Sequence, residues 1–123
     1  MGVTYCLDTN VVVYLLAGKL DPGLPVGSYF VSVVTELELL SYPAMTGPEE
    51  AAILGFLSEI EVIDLSIEIK REAVRLRKES GLKLPDAIVC ATAIAKNATL
   101  LTNDDRLLGV TGVTSARVVV ARP

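Results

Sequence analysis

The chain has 123 residues, of which 51% are hydrophobic, 21% charged and 5% aromatic, with a formal net charge of −4. That length suits one domain with its own core, the apolar content excludes disorder, and no apolar run approaches the roughly 20 residues of a membrane span. The absence of histidine removes Ser-His-Asp and Cys-His catalysis and imidazole metal sites, which leaves carboxylates, hydroxyls, amines or a bound ion for any chemistry.

The opening MGVTYCLDTN has no basic segment followed by an apolar one, so it does not read as a secretory signal, and a cytoplasmic protein is expected. Residues 3–7 (VTYCL) form a short apolar strand, followed by Asp8-Thr9-Asn10 and a helix to about Leu20. Asp21-Pro22-Gly23, Pro25 and Gly27 mark a loop. Residues 29–33 (YFVSV) read as a second strand, after which TELELLSYPAM begins a helix that Pro43 ends or bends. Thr35 and Glu38 match the Thr-x-x-Glu of a capping box, which places Glu38 in the first turn of that helix. Pro48-Glu49-Glu50 opens another helix, running to about Glu59, and a strand follows at 61–65 (EVIDL).

Residues 66–80 give the clearest amphipathic helix, stopped by Gly81, with Ile69, Ala73 and Leu76 on one buried stripe. Its five cations fall on the opposite arc. The alanine-rich LPDAIVCATAIAKN suits a helix lying close to a sheet, and ATLLT at 98–102 is the next strand. A turn at Asn103-Asp104-Asp105, a short helical piece and a last strand at 116–121 (ARVVVA) close the chain. Cys6 and Cys90 each sit in an apolar run and read as small buried hydrophobes. Strands and helices alternate from end to end, with no internal linker. Short continuous apolar strands in that alternation predict one α/β domain over residues 1–123, a three-layer α/β/α sandwich around a mostly parallel sheet.

In such sheets ligands bind beyond the carboxyl ends of the strands. Asp8 and Asp104 follow strands directly, Asp86 stands at the start of a helix behind Pro85, and Glu38 lies near a helix start. Each has a plain structural role open to it: Asp8 as an N-cap, Glu38 in a capping box, Asp86 against the helix dipole, Asp104 in a turn. Four acids gathered on one edge repel one another unless a cation joins them, and hard oxygen ligands select Mg²⁺ or Mn²⁺. Both readings stand on the residues alone.

The segments LDTNVVVYLL (7–16), VSVVTELELL (31–40), LKLPDAIVCATAIA (82–95) and LLTNDDRL (100–107) together resemble the PIN-domain nucleases, and especially the VapC-like toxin ribonucleases. The resemblance implies that Asp8, Glu38, Asp86 and Asp104 are catalytic and bind Mg²⁺ or Mn²⁺. It also implies that Thr9, Asn10, Thr102 and Asn103 orient them or hold a metal-bound water. Glu38 is taken over Glu36 because the family's acid falls three residues after the Thr. The two glutamates lie about 200° apart on a helix, so one face cannot carry both. Asp104 is taken over Asp105 as the acid two after Thr102. Arg106 and Leu107 stand where the family often has another acid and an aromatic.

The implied activity is metal-dependent endoribonuclease cleavage leaving 5′-phosphate and 3′-hydroxyl ends, in a homodimeric toxin inhibited by a cognate antitoxin, with no membrane role. A surface of Lys70, Arg71, Arg75 and Lys78 would track the RNA backbone, or serve simply as a solvated helix face that Glu68, Glu72 and Glu79 partly offset. The alternatives are a non-catalytic PIN-like interaction module and a Mg²⁺-binding receiver-like signalling domain. A receiver, however, usually pairs two acids after its first strand, where this chain has one.

Overall fold

The computed structural model describes residues 2–121. Five strands form one sheet: β1 (Thr4–Leu7), β2 (Ser28–Ser32), β3 (Glu61–Ile63), β4 (Thr99–Leu101) and β5 (Ser115–Ala116). Their spatial order is β3-β2-β1-β4-β5, and every pairing is parallel. Helices fill the crossovers: α1 (Thr9–Leu16), α2 (Val33–Leu40), α3 (Gly47–Glu59), α4 (Ile67–Ser80), α5 (Leu84–Ala95) and α6 (Asp105–Leu108). The receiver-like alternative expects the order 2-1-3-4-5, which this sheet does not have.

Side chains alternate across the strands, so each buried pair divides between two cores. Cys6, Phe30 and Leu100 face a cluster with Ile69, Ala73 and Leu76 of α4 and Ala87, Cys90 and Ala91 of α5. Leu7, Val31 and Leu101 face Val11 and Val12 of α1, Leu39 of α2 and Ile53 of α3. The result is the three-layer sandwich that the alternation predicts. The alanines of α5 keep its backbone close to the sheet, and Cys6 and Cys90 are buried, unpaired thiols.

Local chemistry accounts for the ends of α4. Ser66 accepts from the backbone N–H of Ile69 at 3.1 Å. Gly81 closes the helix with a left-handed φ of 66°, a conformation that costs most L-residues about 1 kcal/mol. Among the described residues no helix is long and apolar enough to cross a membrane.

Three expectations need correction. Helix α2 starts at Val33 with Ser32 as its cap, the Ser32 hydroxyl accepting from the N–H of Val34. Thr35 therefore caps nothing and Glu38 stands in the second turn. The capping box belongs to α3 instead, where Thr46 and Glu49 exchange both bonds. The last strand is only Ser115–Ala116, because the backbone beyond it finds other partners. The side chain of Asn103 takes both the N–H and the C=O of Val118, Val119 accepts from Asp21, and Ala121 donates to Lys19.

From β1 the chain winds outward through β2 to β3, then returns to place β4 on the other side of β1. The winding reverses between β1 and β4. An open α/β sheet offers its ligand crevice at that reversal, beyond the carboxyl ends of the two strands.

Candidate active site

Asp8 is the first residue beyond β1 and Thr102 the first beyond β4, in strands paired Leu7 to Leu101. The Thr102 hydroxyl donates to Asp8 Oδ2 at 2.7 Å and accepts from the backbone N–H of Asp104 at 3.0 Å. Asp8 Oδ1 accepts from the N–H of Thr9 at 2.9 Å. Both carboxylate oxygens are thus held, and the backbone N–H of Asp8 is held by the Leu101 carbonyl at 3.0 Å. Thr102 is fully buried, so its one hydroxyl couples the strand ends on either side of the crevice.

Thr9 extends this network to α2. Its hydroxyl donates to Glu38 Oε1 at 2.5 Å and lies 3.0 Å from the hydroxyl of Thr35. Thr35 is fully buried, one helical turn ahead of Glu38, so the i, i+3 spacing puts both on the face that meets α1. Of the two glutamates of α2, Glu38 is the one that Thr9 reaches. Sequence reading assigned Thr35 to a cap and missed it as a site residue; its i, i+3 relation to Glu38 was the available signal.

On the other side Asp86, third residue of α5, and Asp104, the cap of α6, approach a common cation. Arg106 Nη2 lies 2.7 Å from Asp104 Oδ2 and 3.7 Å from Asp86 Oδ2, while Arg106 Nε donates to Asp104 Oδ1 at 3.1 Å. Asp105 pairs instead with Arg117 and its side chain is 84% exposed.

Two expected supporting residues stand apart. Asn10 is exposed on α1 and has no hydrogen bond to these acids. Asn103 is turned away from them, because its amide is engaged at both ends by Val118.

The electrostatics divide the site in two. Burial pushes the Asp8 carboxyl above its ordinary 3.8, against the lowering effect of Thr102 and Thr9, and the charges of Asp86 and Asp104 push it further up. The Arg106 hydrogen bond holds Asp104 below the same ordinary value. Beneath them Cys90, one turn along α5 from Asp86, is pushed up to about 12 by burial and then by Asp86, Asp8 and Asp104. A field from three carboxylates therefore reaches the core under the crevice.

That field and the donor set fit a hard divalent cation: carboxylate oxygens from four segments, with hydroxyls that position them and no soft ligand exposed. As the side chains stand, no three acidic or thiol groups among the described residues converge on one point close enough to hold an ion. Arg106 supplies the positive charge between Asp86 and Asp104.

The expected nucleic-acid surface on α4 is less uniform than its sequence. Arg75 is clamped by Glu72 and Glu79, at 2.7 and 2.6 Å, so much of its charge is neutralised within the helix. Lys70, Arg71 and Lys78 are exposed. Three residues join the C-terminus of α4 to the N-terminus of α5, which brings Lys78 toward the acidic edge. Lys70 and Arg71 lie about 10–12 Å farther down the helix axis at 1.5 Å per residue.

A family model described as PIN domain matches residues 5–112. A search of curated proteins finds no match. Among solved structures, a toxin-antitoxin complex from Klebsiella pneumoniae is 30% identical, with a TM-score of 0.73 over 89% of this chain and 95% of that one. A VapBC-family toxin-antitoxin system from Mycobacterium tuberculosis is 27% identical, with a TM-score of 0.71 over 94% and 99%. DNA-bound VapBC from Salmonella typhimurium has a TM-score of 0.77 over 94% and 98%, and at 17% identity supports the fold alone.

Proposed function

The chain belongs to the PIN domain family, and from that premise we propose that it is a Mg²⁺- or Mn²⁺-dependent endoribonuclease, the toxin of a toxin–antitoxin pair. The observation that carries the reading is the Asp8 carboxylate, fixed at the sheet reversal by Thr102 and Thr9 and raised in pKa by burial and by Asp86 and Asp104. A buried carboxylate in the field of two others is costly in a scaffold and useful to a cation ligand.

Asp8, Glu38, Asp86 and Asp104 are the residues that would hold the metal. When bound, the ion supplies a water of lowered pKa and neutralises charge on the phosphodiester. The chain's own part is positional. Thr102 fixes Asp8 and, through the backbone N–H of Asp104, the turn that carries the fourth acid. Thr9 and Thr35 tie Glu38 to the same edge. No side-chain nucleophile is required, in keeping with the absence of histidine. Lys70, Arg71, Arg75 and Lys78 would add salt-dependent contact to the RNA backbone, with Arg75 the weakest contributor because of its two glutamate partners.

The antitoxin reading is supported by toxin-antitoxin complexes among the structural neighbours. It is also supported by an apolar groove of about 480 Å³ between α1, α2 and α3, lined by Val13, Leu16, Leu39, Tyr42, Met45 and Ile53. An apolar helix face of the partner suits such a groove. The toxin would act in the cytoplasm, where its RNA is.

The test is cleavage of total cellular RNA by the purified chain with Mg²⁺, with Mn²⁺ and with EDTA, beside Asp8→Asn. Metal-dependent cleavage lost in the variant is expected. A folded wild type without cleavage under any of these conditions, or an active Asp8→Asn chain, overturns the reading.

A further inference from the structure

Arg106 is an internal counter-ion at the acidic edge, and its geometry sets it against a metal. Its guanidinium meets Asp104 fork to fork, through Nη2 and Nε on the two carboxylate oxygens. The same Nη2 faces Asp86 Oδ2 at 3.7 Å. One positive charge therefore serves two acids from segments 18 residues apart in sequence. Both oxygens of Asp104 are already accepting from it, and Asp104 Oδ1 accepts the Arg106 backbone N–H as well, at 2.9 Å.

A cation bound by Asp104 needs the oxygen lone pairs that the guanidinium now uses, and one that also meets Asp86 needs the place Nη2 holds beside its Oδ2. It would also stand beside a fixed positive charge, which costs it electrostatic energy in proportion to closeness. The Arg106 side chain is 60% exposed, so it can swing into water without disturbing either core. Asp104 and Asp86, at 25% and 24%, are less free to move. The arginine is the part that yields.

We propose that Arg106 is a displaceable occupant of the metal site: it neutralises Asp104 and Asp86 in the metal-free chain, and a divalent cation must expel it to bind. This rests on the metal-site reading given above and adds a property to it, that the apparent metal affinity is set by competition with a residue of the chain itself. The residue lies two positions from Asp104, so after expulsion it remains tethered at the rim and the exchange is reversible as metal is removed.

The experiment measures Mn²⁺ binding by electron paramagnetic resonance of the free ion, with thermal unfolding in EDTA, for wild type, Asp8→Asn, Arg106→Gln, Arg106→Lys and Arg117→Gln. Arg117 is a charge-matched control, paired with Asp105 on the same turn and not with Asp86 or Asp104. Arg106→Gln is expected to bind Mn²⁺ about tenfold more tightly while its Tm in EDTA falls; a merely structural arginine would weaken both. Arg106→Lys, which keeps the charge and loses the fork, should fall between, and it carries the test if the glutamine variant fails to fold. Arg117→Gln should shift the affinity by less than about twofold, a distant screened charge having little effect. If Arg106→Gln binds no more tightly than wild type, or if Arg117→Gln tightens binding equally, the competition is overturned. No saturable Mn²⁺ binding by wild type would instead defeat the metal-site reading itself, and a wild-type affinity lost in Asp8→Asn separates the two failures.

Discussion

The two flanks of the acidic crevice are built by different physics. On one flank Asp8, Thr102, Thr9, Thr35 and Glu38 are joined by side-chain hydrogen bonds between residues 26 to 94 positions apart. Three of those hydroxyls belong to buried threonines, so only the finished fold brings them together and little of it can move. On the other flank Asp104, Arg106 and Asp86 are held by ion pairs of partly exposed side chains, the strongest of them between residues two apart. The first flank fixes a carboxylate against its own charge; the second keeps its charges neutral and adjustable. Rigid placement and exchangeable compensation thus sit within one edge of one sheet.

Removing an acid from either flank should produce the largest effect, because both must contribute if one ion joins them. Asp8→Asn and Asp86→Asn should each lower RNA cleavage by about 1,000-fold, the scale of losing a fixed electrostatic partner of the reaction, with circular dichroism unchanged. Activity retained in one but not the other would confine the chemistry to a single flank. Glu38→Gln should cost about 100-fold and Glu36→Gln only a few-fold, since Thr9 reaches Glu38. The reverse order would put the wrong face of α2 in the site.

The hydroxyl that joins the flanks comes next. Thr102→Val removes the donor to Asp8 and the acceptor for the Asp104 N–H at once. Activity should fall by about 10- to 100-fold, the usual range for a group that orients a ligand. Stability should fall by about 1–3 kcal/mol, as the half-buried Asp104 N–H and the Asp8 carboxylate each lose a partner. Thr102→Ser, which keeps the hydroxyl, should recover most of both in urea melts and cleavage assays. A Val variant as active as wild type would show that Asp8 needs no such anchor.

These contacts also mark where sequence reading stops. The parallel sandwich, its helices and the strand-end acids follow from apolar periodicity and from Pro and Gly placement, signals carried within a dozen residues. The Thr9–Thr35–Glu38 cluster is not legible that way, since Thr35 satisfies a local capping pattern and only packing decides that Ser32 caps the helix instead. The last strand fails for a related reason. ARVVVA has strand composition, but Asn103 and the loop after α1 take its backbone groups. Asn103 therefore belongs to the fold of that segment, although its place beside Thr102 suggested the site. Asp104 and Asp105 are neighbours in sequence, and the structure separates them by exposure, by the Thr102 bond and by the arginine each meets.

The flanks should also differ in how pH acts on stability without metal. Asp8, raised in the folded chain, takes up its proton more readily than in the unfolded one. Its ionisation therefore costs stability as pH rises through the folded value, above 3.8. Asp104, lowered by Arg106, adds stability above 3.8 that is lost as pH falls through its folded value. Its exposure keeps that contribution small. Asp8→Asn should accordingly raise the Tm in EDTA at pH 7 by about 2–5 °C, where 1 kcal/mol shifts a domain of this size by roughly 4 °C. The gain should fade as pH falls below 3.8, where Asp8 becomes protonated in both states, and reverse with Mg²⁺ present. A variant less stable than wild type in EDTA at pH 7 would mean that the bonds from Thr102 and Thr9 outweigh the burial of charge.

The smallest expected effect lies outside the crevice and tests whether adjustable compensation extends along α4. Arg75 has Glu72 and Glu79 as partners, whereas Arg71 is exposed on the same helix. If the arc tracks an RNA backbone, Arg71→Gln should weaken binding by about two- to threefold and lower the salt slope by roughly one counterion. Arg75→Gln should do less, because its guanidinium is already engaged by Glu72 and Glu79 and has little left to offer a phosphate. Filter binding of a 2′-O-methyl oligonucleotide across a salt series separates these cases. Equal losses would mean that Arg75 leaves its glutamates for phosphate, the same exchange proposed for Arg106. No loss in either variant would make the arc a solvated helix face and leave RNA contact to the cation nearer the edge, Lys78.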